Sequence, residues 1–286
     1  MSIRKIIPNT ITSLNLLSGV LGVIFTLKGH IEIAFPLMLA AAVFDFCDGL
    51  AARALDAYSD MGKELDSLSD MVSFGVLPAV MLYEVSPEGS WTAYIPLFIA
   101  VMSGLRLAWF NIDERQTEGF IGLATPSCAM ICGSLAYFIA AEPGSFVAVW
   151  ASGPVFIPVL SVCLGLLLVA PIPMFSMKFK KGQKQDHTLL IKRTAFLTVA
   201  ALSVIVVAVL RTNWSAAVTL IFLSYIIVNC IFAASGCREE VSGSIILAAE
   251  EEVALRVLAH GAELGSLLAD HDVAAVGAFP DHILVA

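Results

Sequence analysis

Charge is scarce in this chain, and positive charge has no surplus. Only 14% of its 286 residues are Asp, Glu, Lys or Arg, against about a quarter in ordinary soluble domains. That shortage excludes a water-soluble globule and a charged disordered chain. Sixteen Lys and Arg stand against 24 Asp and Glu, so there is no free basic face for nucleic acid. Cysteine is sparse as well: six residues, at 47, 128, 132, 163, 230 and 237, with no C-x-x-C pair. Most lie in apolar runs, where cysteine behaves as a small hydrophobe rather than as part of a disulfide or zinc framework.

What fills the chain is apolar residues, 58% of the total with a mean hydropathy of +0.88. Runs close to the ~20 residues that cross hydrocarbon recur along most of its length. They predict an all-α, polytopic membrane bundle of about eight helices, near 11–28, 31–55, 65–84, 91–111, 124–141, 146–170, 191–211 and 214–234. Pro126, Pro143, Pro154 and Pro158 interrupt the fifth and sixth. The start, Met1-Ser-Ile-Arg4-Lys5 before an apolar stretch, has no small-residue cleavage site and reads as a retained first helix.

The bases set an orientation. With the N-terminus inside, fourteen fall on the cytoplasmic side, including Arg4, Lys5, Arg53, Lys63, Arg106 and the cluster Lys178, Lys180, Lys181 and Lys184, while Lys28 and Arg211 alone face out. Both termini are therefore expected to be cytoplasmic. The net charge of −8 belongs mainly to the end of the chain, where residues 237–286 hold nine acids and two bases. This divides the chain into a membrane domain, 1–236, and an acidic tail, 237–286. The tail is too short for an assured core of its own and reads equally as an appendage, an extension or the product of an altered reading frame.

Acids within apolar helices are costly and by default mark a function. Asp45 and Asp48 lie near the cytoplasmic end of the second span, Asp66 and Asp70 at the start of the third. Spacings of three and four put each pair on one helix face, and the turn between the spans lets the two faces meet. Four carboxylates converging in a poorly hydrated cleft repel one another unless cations neutralise them. Hard divalent ions with oxygen ligands, Mg²⁺ or Mn²⁺, suit such a site and commonly share coordination with a substrate phosphate. Gly49 and Ala52 keep the acid face of the second span open, and Arg53 is suited to a phosphate oxygen pair. Gly62 relaxes the backbone entering the third span.

Written out, the segment is Asp45-x2-Asp48-Gly49-x2-Ala52-Arg53-x8-Gly62-x3-Asp66-x3-Asp70. It resembles, without departure, the signature of the CDP-alcohol phosphatidyltransferase family. Other segments are similar to the phosphatidylserine synthase branch: Ile7-Pro8-Asn9-Thr10-Ile11-Thr12 with Asn15, Ser69–Pro78, Leu105–Asn111 and Phe120–Pro126. Trp109 stands where that branch has Arg, and Ala124 where it has Pro. The resemblance covers roughly residues 1–235.

The resemblance implies transfer of a phosphatidyl group from CDP-diacylglycerol to an alcohol, with release of CMP. It makes Asp45, Asp48, Asp66 and Asp70 the ligands of a two-metal site for Mg²⁺ or Mn²⁺, and Asp70 the general base. Gly49, Ala52, Arg53 and Gly62 would line the CDP pocket, with Asn9 and Thr12 beside them. The branch segments favour L-serine as acceptor. Arg106 is then the candidate for its carboxylate, Asn111 a hydrogen-bonding partner, and Lys178, Lys180 and Lys181 would steer phosphate or lipid. The family also implies a homodimer among membrane lipids, with the active site at the cytoplasmic face of the inner membrane. Glycerol 3-phosphate and inositol phosphate stay open as acceptors. From another class, a divalent-cation transporter stays open too, although it predicts midplane acids and repeats that are not visible in this sequence.

Overall fold

A computed structural model of the protein describes residues 3–112, 120–174 and 187–232; the acidic tail and Lys178, Lys180 and Lys181 lie outside them. Among the described residues the fold is helical apart from one short ladder. The helices are α1 (Ile3–Leu27), α2 (Ile31–Ala54), α3 (Asp60–Asp70), α4 (Leu77–Glu84), α5 (Phe98–Ile112), α6 (Thr125–Ala141), α7 (Phe146–Ala151), α8 (Phe156–Val169), α9 (His187–Leu210) and α10 (Ser215–Phe232). A π-helical stretch, Met71–Val76, joins α3 to α4, and a 3₁₀ stretch, Trp91–Leu97, leads into α5.

Among the described residues six continuous helical segments of 18–25 residues are long and apolar enough to cross a membrane: Lys5–Leu27, Ile31–Ala54, Asp60–Glu84, Trp91–Ile112, Arg193–Leu210 and Ser215–Phe232. Two apolar helices are shorter, Thr125–Ala141 and Phe156–Val169. The protein is an integral membrane protein. Helix lies in each of the eight expected stretches, one of them broken in two, and among the described residues six segments have full spanning length.

The differences have local causes. The first helix begins at Ile3 rather than near residue 11, because hydropathy marks the part within hydrocarbon and misses the polar lead-in around Asn9 and Thr10. The expected span 146–170 is two helices, α7 and α8, separated at Gly153-Pro154, since proline lacks the N–H that a continuing helix needs. The π-helical widening after Asp70 was not foreseen. Leu77 N–H bonds back five residues to Val72 O, and the next residue, Pro78, has no N–H for an α-type bond and would press its ring on the carbonyl of Phe74.

α1 organises the half of the molecule that carries the acids, packing along α2, α3, the π stretch and α4. Gly19 and Gly22 permit the approach: a Cβ at Gly19 would overlap Ser73 Oγ, and one at Gly22 would sit 2.6 Å from Leu77 Cδ2. Polar ties fix the register. Ser73 Oγ donates to Asn15 O at 3.1 Å, and Ser69 Oγ lies 3.3 Å from Thr12 O. Behind this layer is an apolar core containing Phe35, Met38, Phe74, Leu77, Leu123 and Ile131.

The segment before α6 is laced to the end of α8. Phe120–Ile121 pairs antiparallel with Pro173–Met174, Gly122 N bonds Ile172 O at 2.9 Å and Leu123 N bonds Leu167 O at 2.9 Å. Gly122 adopts φ +78, and a Cβ there would lie 2.5 Å from Leu168 O. This lacing holds Thr125, the first residue of α6, in a fixed place beside α5.

Candidate active site

α2 ends at Ala54, and Ala57 N closes the turn on Ala52 O at 2.9 Å, with Asp56 at φ +48. Ser59 then caps α3, accepting from Gly62 N at 3.1 Å, which satisfies one of the orphan donors of a helix start. The turn brings the two acid pairs together. One oxygen each of Asp45, Asp48 and Asp66 lie within 4.8 Å of one another, and the Asp45 and Asp66 carboxyls touch. Asp70, one turn deeper, lies within electrostatic reach of all three.

α1 supplies the donors that hold this cluster. Thr12 Oγ1 donates to Asp48 Oδ2 at 2.5 Å, and Asn15 Nδ2 donates to Asp70 Oδ1 at 3.3 Å. Thr12, Asn15 and Asp48 are all buried. Among the described residues none of the four carboxylates is ion-paired with Lys or Arg, and Asp66 Oδ1 is buried with no hydrogen-bond partner. Concentrated negative charge, an all-oxygen donor set and an unpartnered ligand atom fit a hard divalent cation.

Beside the cluster opens a cleft of about 760 Å³. Asp48, Asp66, Gly49, Ala52, Gly62, Asn9 and Thr12 line it, joined by Lys5, Pro8 and the turn residues 57–61 and Lys63. At Gly49 an added Cβ would meet only Arg53 Nη2, at 3.8 Å, so the helix face is bare there. At Gly62 a Cβ would stand 3.1 Å from both Asn9 Oδ1 and Ser59 Oγ. Asn9 Nδ2 is buried and unpartnered, a donor left over at the cleft wall. The space and its polar lining suit a phosphorylated ligand beside the acids.

The other expected residues are placed differently. Arg53 is exposed, and its Nε donates to Gly49 O at 2.9 Å. Arg106, counted with the surface bases from sequence, is buried: 8% exposed, with Nη1 donating to Thr125 Oγ1 at 2.9 Å. It feels the charge of Asp70, and its Nε has no partner. Asn111 Nδ2 donates to Ser67 Oγ at 2.9 Å and Asn111 O accepts from Lys63 Nζ at 3.2 Å, so this residue ties α5 to α3. Trp109 is 58% exposed on the outer side of α5. Ala124 takes the N-cap place of α6 without a side-chain cap.

Sequence reasoning missed Lys5, Tyr58 and Met61 as cleft residues, and it missed the pairing of Thr12 with Asp48 and of Asn15 with Asp70. A spacing of three between positions 12 and 15 was the available signal, because it puts both on one face of α1.

The family model for CDP-alcohol phosphatidyltransferase matches residues 5–162, more than half of the chain. A CDP-diacylglycerol–serine O-phosphatidyltransferase of Mycobacterium bovis is 37% identical over 183 residues, 60% of this chain and 62% of that protein. Proteins of the same name from Methanocaldococcus jannaschii and Bacillus subtilis are 33% and 37% identical. Those matches cover 60% and 43% of this chain, and 75% and 71% of the respective relatives. The chain thus spans somewhat under two thirds of the mycobacterial protein that it matches.

Proposed function

The chain belongs to the CDP-alcohol phosphatidyltransferase family, and on that premise we propose that it transfers the phosphatidyl group of CDP-diacylglycerol to L-serine, giving phosphatidylserine and CMP. The observation that carries the reading is the meeting of Asp45, Asp48 and Asp66 beside a polar cleft, with Asp70 one turn deeper and donors from α1 on Asp48 and Asp70. The names of the relatives support serine as acceptor.

In this reading the CDP moiety enters the cleft along Gly49, Ala52 and Gly62, where no side chain blocks the helix faces. Asn9 Nδ2 offers its unused donor there. Asp45, Asp48, Asp66 and Asp70 would hold Mg²⁺ or Mn²⁺, which when bound would supply charge neutralisation for the pyrophosphate. Asp70 takes the proton of the serine hydroxyl, whose own acidity is too weak for attack at neutral pH. The serine oxygen bonds to the phosphatidyl phosphorus as the bond from that phosphorus to the CMP oxygen breaks, and the electron pair leaves with CMP. Arg106, already buried near Asp70 with a free Nε, binds the carboxylate of the acceptor.

The fourteen-to-two distribution of bases supports a cleft at the cytoplasmic face of the inner membrane. A homodimer, implied by the resemblance, is part of the same proposal, and chemical cross-linking in native membranes tests it. The deciding experiment is CMP release by detergent-purified protein with CDP-diacylglycerol and Mg²⁺ or Mn²⁺. The expected result is release that requires L-serine. Release with glycerol 3-phosphate or inositol phosphate instead would replace the acceptor, and no release from folded protein would remove the activity.

A further inference from the structure

Among the described residues four side-chain polar atoms have no partner although their residues are at least nine-tenths buried: Ser215 Oγ, at the start of α10, and Asn15 Oδ1 (0% exposed), Arg106 Nε (8%) and Ser103 Oγ (0%). Buried polar atoms are almost always paired, so unpaired ones that cluster around one residue point to a ligand. The last three share a neighbourhood. Asn15 is bonded to Asp70, Arg106 feels the charge of Asp70, and Ser103 lies three residues before Arg106 on α5, packed beside Gly75 of the π stretch. The open atoms are also chemically distinct. Arg106 offers a cationic donor, whereas Asn15 offers a neutral acceptor.

The orientation of the Asn15 amide is fixed by its partner. A carboxylate only accepts, so Nδ2 faces Asp70 and Oδ1 faces away from it. An acceptor bonded to a general base, with a guanidinium within electrostatic reach of that base, matches an α-amino acid that carries a hydroxyl. The carboxylate pairs with Arg106, the hydroxyl reaches Asp70, and the ammonium needs an oxygen. We propose that Asn15 is a specificity residue that receives the acceptor's ammonium group on Oδ1. This deepens the serine reading and rests on it. It separates the roles of the α1 side chains: Thr12 serves the carboxylate cluster, whereas Asn15 serves the acceptor.

The test compares three acceptors with CDP-diacylglycerol and Mn²⁺: L-serine, 3-hydroxypropionate, which lacks the ammonium, and ethanolamine, which lacks the carboxylate. In the unmodified protein serine should exceed both in kcat/KM. Asn15→Leu, which keeps the branched shape but neither donates nor accepts, should shrink the ratio of serine to 3-hydroxypropionate at least tenfold, with the KM for serine rising. Arg106→Leu should instead shrink the ratio of serine to ethanolamine. As a readout apart from turnover, serine should raise the apparent Tm of the unmodified protein and not that of Asn15→Leu, while CDP-diacylglycerol raises both. Asn15→Asp keeps an acceptor oxygen but loses the donor to Asp70; it should retain the preference for serine while kcat falls, and it carries the test if the leucine variant does not fold. A serine to 3-hydroxypropionate ratio unchanged within twofold in Asn15→Leu, or lost in Asn15→Asp, overturns the assignment of Asn15 while the serine reading stands. Unmodified protein that ignores serine and uses another alcohol overturns that reading and the assignment together.

Discussion

Substituting Gly19 by alanine tests whether α1 sets the geometry of the acids. The new Cβ would overlap Ser73 Oγ and lie 3.0 Å from Ser73 Cα and 3.1 Å from its Cβ. Two of those atoms belong to main chain or to the first side-chain carbon, so rotating the hydroxyl does not clear the contact. Overpacking of this kind costs about 1–3 kcal/mol, while replacing glycine by alanine within a helix returns up to about 1 kcal/mol. The net expectation is a loss of roughly 0–2 kcal/mol. At Gly22 the obstruction is the flexible end of Leu77, at 2.6 Å from Cδ2, so the helix gain should offset most of the strain. Gly19→Ala should therefore have the lower apparent Tm of the two, by several degrees at about 2–4 °C per kcal/mol. Its activity should fall further than its stability, since separating α1 from the π stretch draws Thr12 from Asp48 and Asn15 from Asp70. Thermal unfolding in detergent and serine-dependent CMP release at a temperature well below both midpoints make the comparison. A Gly19→Ala protein as stable and as active as Gly22→Ala would refute the idea that this contact sets the site.

Asp70→Asn should abolish turnover while leaving the apparent Tm within a few degrees, because the amide keeps the shape but cannot take the acceptor's proton; near-normal turnover would exclude Asp70 as the base. Asp66→Asn should weaken Mn²⁺ binding, followed by electron paramagnetic resonance of the bound ion, because it replaces one of three carboxylates whose oxygens lie within 4.8 Å of each other. Thr12→Val removes the 2.5 Å bond to Asp48; at about 1.5–3 kcal/mol for a hydrogen bond to a charged group, the Mn²⁺ concentration for half-maximal activity should rise by about tenfold or more. Gly62→Ala places a methyl group 3.1 Å from Asn9 Oδ1 and should raise the KM for CDP-diacylglycerol, measured at saturating serine, with little change in Tm.

The acids were legible because their spacing is local: positions 45, 48, 66 and 70 sit on two helix faces joined by a short turn. Gly49, Ala52 and Gly62 were legible for the same reason, and all three border the cleft. Arg106 was legible as a residue but not as an environment, because its burial depends on Thr125, nineteen positions later and held by main-chain bonds to the end of α8. Lys5, Tyr58 and Met61 gave no periodic signal, since they reach the cleft from a helix start and a turn. The π stretch was hidden for another reason: Pro78 marks a disturbance, but sequence alone does not say whether a helix breaks, kinks or widens around it.

The π stretch also makes this part of the chain tolerant of one kind of length change. A π-helical turn holds about one residue more than an α turn, so losing one of residues 71–76 would let the rest close with the ordinary α repeat while α3 and α4 keep nearly the same rotation about their axis. Asp66 and Asp70 would still face Asp45 and Asp48. A deletion at Ser67 or Leu68, in ordinary α-helix, would instead turn Asp66 by about 100° relative to Asp70 while the span remained continuous and apolar. Single-residue deletions within Met71–Val76 should therefore keep more activity than a deletion at Ser67 or Leu68, which should give inserted and inactive protein. A deletion scan from Ser67 to Val76, scored separately for membrane insertion and for CMP release, separates those two fates.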